Sequence, residues 1–344
     1  MQKIVKFLVI AAVLLVLNGG ATLITAQDTE PLVINIGIQR GNLWGVPELH
    51  DGLVKALEEG LGKPVDVELT LFPAGPPLLE ALNAGSIDFG GTGDTPPIFA
   101  QAAGTPLVYV ASQLSSSGQA LIVPENSPVQ SVADLKGKTI AYTKGSSANF
   151  FTIQALQSVG LEITDVESAF LNPADARAAF DGGSIDAWTI WDPFLTTAKT
   201  QVNARVLFAA NDLPAPQRSY QLASQKFVTE QPEALQIILD QVQAQIDWSR
   251  DNPDDWAAFL ESETTIPADV WLAIRAENEV YDLDYITDEI VEQQQGVADV
   301  FYDLQLIPEK LDISSVVWAP AEAAQATEEV QATEQVQATE EAGK

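Results

Sequence analysis

Lys138-Thr139-Ile140-Ala141-Tyr142-Thr143-Lys144-Gly145-Ser146-Ser147-Ala148-Asn149-Phe150-Phe151 changes character halfway along. Thr139, Ile140 and Tyr142 favour extended backbone, so Lys138–Tyr142 predicts a short strand. Gly145 interrupts it, and from Ser147 to Val159 the pattern reads as helix. Val166–Leu171 reads as another strand. A strand that leads through a glycine-serine turn into a helix, and on to a further strand, is a βαβ unit. Such units join parallel strands, which places the chain in the α/β class.

The same rhythm runs toward the N-terminus. Leu32–Ile38 predicts a strand, Glu48–Glu59 a helix, Val65–Leu71 a strand, Leu78–Asn83 a helix and Ile87–Gly90 a short buried strand. Asn83–Asp88 (NAGSID) returns as Asp181–Asp186 (DGGSID), each a helix end, a glycine turn and a strand start. A common αβ turn and a duplicated unit both fit that repetition. Asn172-Pro173 opens a further helix, as cap and first helical residue.

Beyond Pro214 the character changes. Ser219–Ser224 reads as a returning strand. Pro232–Trp248, Pro253–Glu261, Pro267–Glu279 and Thr287–Leu304 read as helices. The expected architecture has two lobes, each a mostly parallel sheet flanked by helices. Residues 27–114 and 212–320 form one lobe and residues 115–211 the other. The chain crosses near Ala111–Gly118 and returns near Ala209–Gln217, and two crossings make a hinge around a closable cleft.

The chain has 344 residues, enough for two cores, and a net charge of −31, with no cysteine and one histidine, His50. Without cysteine there are no disulfides, thiolate nucleophiles or Cys-ligated metal sites. One imidazole argues against His-ligated metals and histidine-based triads. No catalytic residue, metal or cofactor is expected, and the acidity argues against nucleic acid as a partner. Residues 1–26 read as an export signal: Lys3 and Lys6, an apolar run Phe7–Leu17, then Ala26 before the cut. An uncleaved membrane anchor is the other reading, and the lack of cysteine excludes a lipoprotein. Residues 321–344 repeat Gln-Ala-Thr-Glu and read as a disordered acidic tail. The mature chain is expected to be a soluble monomer outside the cytoplasm.

In open α/β sheets ligands bind beyond the carboxyl ends of strands, where helix N-termini point. Four segments occupy such places: Gln39-Arg40-Gly41-Asn42, Thr92-Gly93-Asp94, Gly145-Ser146-Ser147 and Trp191-Asp192. A helix starting near Ser146 leaves its first N–H groups without intrahelical partners and carries roughly half a positive charge there. Gly145 permits close backbone approach, and Ser146 and Ser147 add hydroxyl donors, which suits a small anion. A plain serine cap is the alternative for that segment. Thr92 offers a hydroxyl and Gly93 close approach. Asp94 either caps the helix containing Pro96 and Pro97 or accepts hydrogen bonds from a ligand. Gln39 is a neutral donor, Trp191 an apolar wall or a core residue, and Asp192 a helix cap before Pro193. Arg40, Lys144 and Arg177 are the nearby cations, Arg177 being placed for a salt bridge. Each segment has an ordinary structural explanation; their shared place at four strand ends points to a ligand.

Together the segments resemble the aliphatic sulfonate-binding proteins of ABC importers. The likeness is carried by Ile38–Leu43, Leu79–Gly90, Gly93–Pro97, Lys144–Ala148, Pro173–Phe180 and Asp186–Pro193. It implies a periplasmic-binding-protein type II fold, a sulfonate held between the lobes, and delivery to an importer's permease. On that pattern Gln39, Thr92, Gly93, Asp94, Ser146, Ser147 and Trp191 match site-lining positions. Asn149, where many relatives carry histidine, and Trp44-Gly45-Val46-Pro47 depart from it. Taurine, nitrate, bicarbonate and thiamine precursors are the other ligands of the wider family.

Overall fold

The computed structural model describes residues 30–40, 46–115 and 118–320. The expected signal segment, Gly41, Asn42 and the acidic tail lie outside the described residues. Two units separate at Glu30/Pro31, and every described element belongs to the second.

From Leu32 the chain forms β1 (Leu32–Gln39), α1 (Pro47–Leu61), β2 (Val65–Phe72), α2 (Gly75–Asn83), β3 (Phe89–Gly93), α3 (Thr95–Ala102) and β4 (Leu107–Ser115). It then enters a second sheet with β5 (Gln119–Val123), β6 (Thr139–Tyr142), α4 (Ser147–Gln157), β7 (Glu167–Phe170), α5 (Pro173–Asp181), β8 (Ala187–Trp191), α6 (Phe194–Val202) and β9 (Arg205–Ala209). It comes back through β10 (Gln217–Ser224). Then follow α7 (Gln225–Glu230), α8 (Pro232–Asp251), α9 (Pro253–Thr264), α10 (Ala268–Glu277), β11 (Leu283–Asp284) and α11 (Asp288–Asp303).

The first sheet has the order β11-β4-β10-β3-β1-β2 and the second β7-β6-β8-β5-β9. The expected parallel pairing is present where strand alternates with helix: β1 with β2 and β3, and β6 with β7 and β8. Each sheet as a whole is mixed rather than mostly parallel. β10 runs antiparallel between β3 and β4, and β5 antiparallel between β8 and β9. The cause is the crossing itself. A strand entering a sheet from the other half arrives from the cleft end, opposite in direction to strands that deliver their helices there.

Both faces of each sheet are covered. Ile34, Ile36, Val108 and Val110 pack with Leu53 and Leu57 of α1 and Leu235 and Ile238 of α8. Leu107, Tyr109 and Tyr220 pack on the other side with Leu78, Ile98 and Phe301. In the second sheet α4 covers one face through Phe151 and Leu156, and α5 and α6 the other through Phe180 and Leu195. Burial on both faces is why these strands read as continuous apolar runs, without polar alternation. Trp271 and Ile274 of α10 pack with Leu260 of α9 in a smaller cluster.

Candidate functional site

The carboxyl ends of β1, β3 and β8 and the N-terminus of α4 converge on a cleft of about 530 Å³. Gln39, Thr92, Gly93, Asp94, Ser146, Ser147, Trp191 and Asp192 all line it. Gly145 is not among its lining residues. Its φ of 72° serves the turn, and an added Cβ would face Phe99 at 3.5 Å. Asn149, buried beneath that turn, accepts from Gly145 N at 3.1 Å through Oδ1.

The two halves approach closely at Gly93. A Cβ built there would lie 1.9 Å from Ser147 Oγ, so a side chain at this position would displace the hydroxyl where the end of β3 meets the start of α4. The β3 strand runs on through Thr92 and Gly93, farther than the sequence pattern indicated. Those residues pair with Tyr220 and Ser219 of β10. Gln39 holds the same strand by donating Nε2 to Gly91 O at 2.9 Å.

Ser146 is the N-cap residue of α4, but its hydroxyl donates backward to Thr143 O at 2.7 Å and makes no cap bond. In the first turn Asn149 N donates to Ser146 O at 2.9 Å, and Ser147, whose N–H has no carbonyl one turn back, stands at the cleft wall. Asp94 likewise does not cap α3. The residues whose N–H groups it would take are Pro96 and Pro97, which have none. Its carboxylate instead accepts from Thr95 Oγ1 at 2.8 Å, from Gln217 Nε2 at 3.4 Å and from the Ser147 hydroxyl. Burial pushes its pKa up to about 6, and these hydrogen bonds hold it below a still higher value. Asp192 accepts from Thr196 N at 2.9 Å, near the start of α6, and burial raises its pKa too.

Lining residues not singled out from sequence include Gln119, Gln217 and Arg218. Gln119 donates to Gln217 Oε1 at 3.2 Å and to Ser147 O at 3.4 Å, which ties both crossings to α4. Arg218 donates to Ser112 Oγ at 3.0 Å and to Gln293 Oε1 at 3.1 Å, and pairs with Asp284 at 2.9 Å. Of the cations named from sequence, Arg40 lines the cleft. Lys144 lies over the Phe170 ring at 5.4 Å and Arg177 pairs with Asp181 at 2.8 Å. His50 stands 3.8 Å from Asp51.

Two α/β halves joined by two crossings, with donors gathered between them, define a cleft-binding protein. A family model described as NMT1/THI5 like matches residues 49–256, and the chain belongs to that family. It is 37% identical over 324 residues to an Escherichia coli (strain K12) protein provisionally named an aliphatic sulfonates-binding protein, covering 94% of this chain and 98% of that one. Among solved structures, the periplasmic aliphatic sulphonate binding protein SsuA from Escherichia coli matches with a TM-score of 0.73 and 37% identity, covering 84% of this chain and 98% of that one. The alkanesulfonate-binding protein SsuA from Xanthomonas axonopodis pv. citri, bound to MOPS, matches with a TM-score of 0.75 and 33% identity, over 84% and 99% of the two chains. Among the described residues no helix is long and apolar enough to cross a membrane.

Proposed function

We propose that this protein is the extracytoplasmic binding component of an ABC importer, capturing small aliphatic sulfonates in the cleft and handing them to the permease. The observation that carries the reading is the convergence of the α4 N-terminus, Ser147 and Gly93 in one donor-lined cleft. A sulfonate is ionised at any ordinary pH and presents three acceptor oxygens. Helix-end N–H groups, hydroxyls and side-chain amides satisfy such oxygens without the desolvation cost of a buried, unpaired cation. Arg40 adds positive charge at the wall, while Arg218 is paired with Asp284, so the anion is not met by neutral donors alone. Trp191 offers the tail an apolar surface. On this reading residues 1–26 direct export, no lipid anchors the chain, and the protein works as a monomer. Residues 115–211 close against the remainder about the two crossings.

Calorimetry with short alkanesulfonates, taurine, nitrate and bicarbonate tests it. The expected result is binding of alkanesulfonates at low-micromolar or tighter affinity, about −8 kcal/mol. Heat from nitrate or bicarbonate, with none from any sulfonate, would reject the substrate class and keep the transport role. Taurine is the second reading, favoured by one feature: Asp94 and Asp192 both line the cleft and either supplies a carboxylate for its ammonium.

A further inference from the structure

A second chamber of about 360 Å³ adjoins the cleft. Gln113, Ser115, Gln221, Ile274 and Asn278 line both, so the two spaces lie side by side. Helices α8, α9 and α10 form its far wall, with Val242, Ile246 and Trp256 as the apolar part. Two donors stand on that wall. Gln245 is 7% exposed, and its Nε2, covered by its neighbours, has no hydrogen-bond partner. A buried amide N–H without an acceptor is costly to the fold and is recovered when an acceptor arrives. Arg275 is held beside it, its guanidinium carbon 5.5 Å from the Trp256 ring centre and its Nη2 donating to Ser249 O at 2.6 Å. Glu279 also lines the chamber, and its carboxylate is hydrogen-bonded to Tyr281.

We propose that this chamber is a tail subsite, and that the preferred ligand is a sulfonate whose far end carries a hydrogen-bond acceptor oxygen. The inference rests on the sulfonate reading above. The head group stays at the α4 end of the cleft, methylenes lie along Val242 and Ile246, and the terminal oxygen meets the Gln245 amide once that amide turns out of the wall, with Arg275 lining the same chamber. A bare alkyl end fills the same space but leaves the Gln245 donor unpaired, so the chamber discriminates by the distal atom as well as by length.

Calorimetry on the full chain decides it. Each straight-chain sulfonate from ethane- to hexanesulfonate is compared with its ω-methoxy and ω-carboxy counterparts. The expected result is that, above one threshold length, at least one oxygenated series binds about tenfold tighter than the bare chain. A gain confined to the carboxylates assigns the recognition chiefly to charge at Arg275, and a gain in both series to the amide hydrogen bond. In Gln245→Leu the gain shrinks severalfold while the bare chains keep their affinity within about twofold. The ligand comparison itself needs no variant, so a folding failure of Gln245→Leu leaves the test standing. Bare and oxygenated chains of equal affinity at every length overturn the tail subsite and leave the sulfonate reading intact. Silence from all three series overturns the sulfonate reading and this inference with it.

Discussion

Gly93 is the position at which one missing Cβ lets two halves of the molecule touch. Nothing in its backbone forbids a side chain, since it is absent from the left-handed glycines; the obstacle is the Ser147 hydroxyl. Gly93→Ala is therefore expected to fold with an unchanged melting profile and to lose sulfonate affinity at least tenfold, read by calorimetry beside thermal denaturation. Asp94 gives a pH signature. Its folded pKa, about 6, lies above the ordinary 3.8, because burial disfavours the carboxylate. The resulting penalty is in full force above about 6 and fades as pH falls toward 3.8. Asp94→Asn keeps an acceptor for Thr95 and removes the charge. It should be more stable than the parent by roughly 2–3 kcal/mol near neutral pH, the two converging in acid, as urea titrations at stepped pH would show. A bound sulfonate beside this carboxylate favours its protonated form, so affinity should rise as pH is lowered from about 8 to 5.

Helices and strands carry the local costs. Asn172 caps α5 by accepting from Ala174 N at 3.0 Å and Asp175 N at 3.1 Å. Asn172→Ala should cost about 1 kcal/mol in chemical denaturation without touching ligand affinity. The parallel parts of both sheets were legible in the sequence because each strand there hands over to a helix and the hydrophobic period changes between them. The Asn172 cap was legible for the same local reason. The antiparallel insertions were not: β5 is buried at every position and shows no alternation. β10 finds its partners β3 and β4 more than a hundred residues back, beyond any local pattern. The same remoteness hid Gln119, Gln217 and Arg218, which sit at the two crossings rather than beside a glycine-serine signal. Their one visible mark was polarity at the start of a strand entering from the hinge. Asp94 was open to a firmer reading, because Pro96 and Pro97 follow it and neither offers an N–H to cap.

At the scale of the molecule, the cleft is bounded by elements from both sheets, and closure on a ligand is a change in their separation. The radius of gyration in solution scattering should contract when a bound sulfonate is added to ligand-free protein. It should fail to contract in Gly93→Ala, where the closed contact cannot form. The topology has an implication for how the chain assembles as it emerges, N-terminus first. All five strands of the nested sheet have emerged once Ala209 is out, whereas the outer sheet still lacks β10, its central member, until Ser224 follows. The interior half is thus the one equipped to mature first. The flanking half must wait for β10, the keystone that joins β4 to the β3-β1-β2 group.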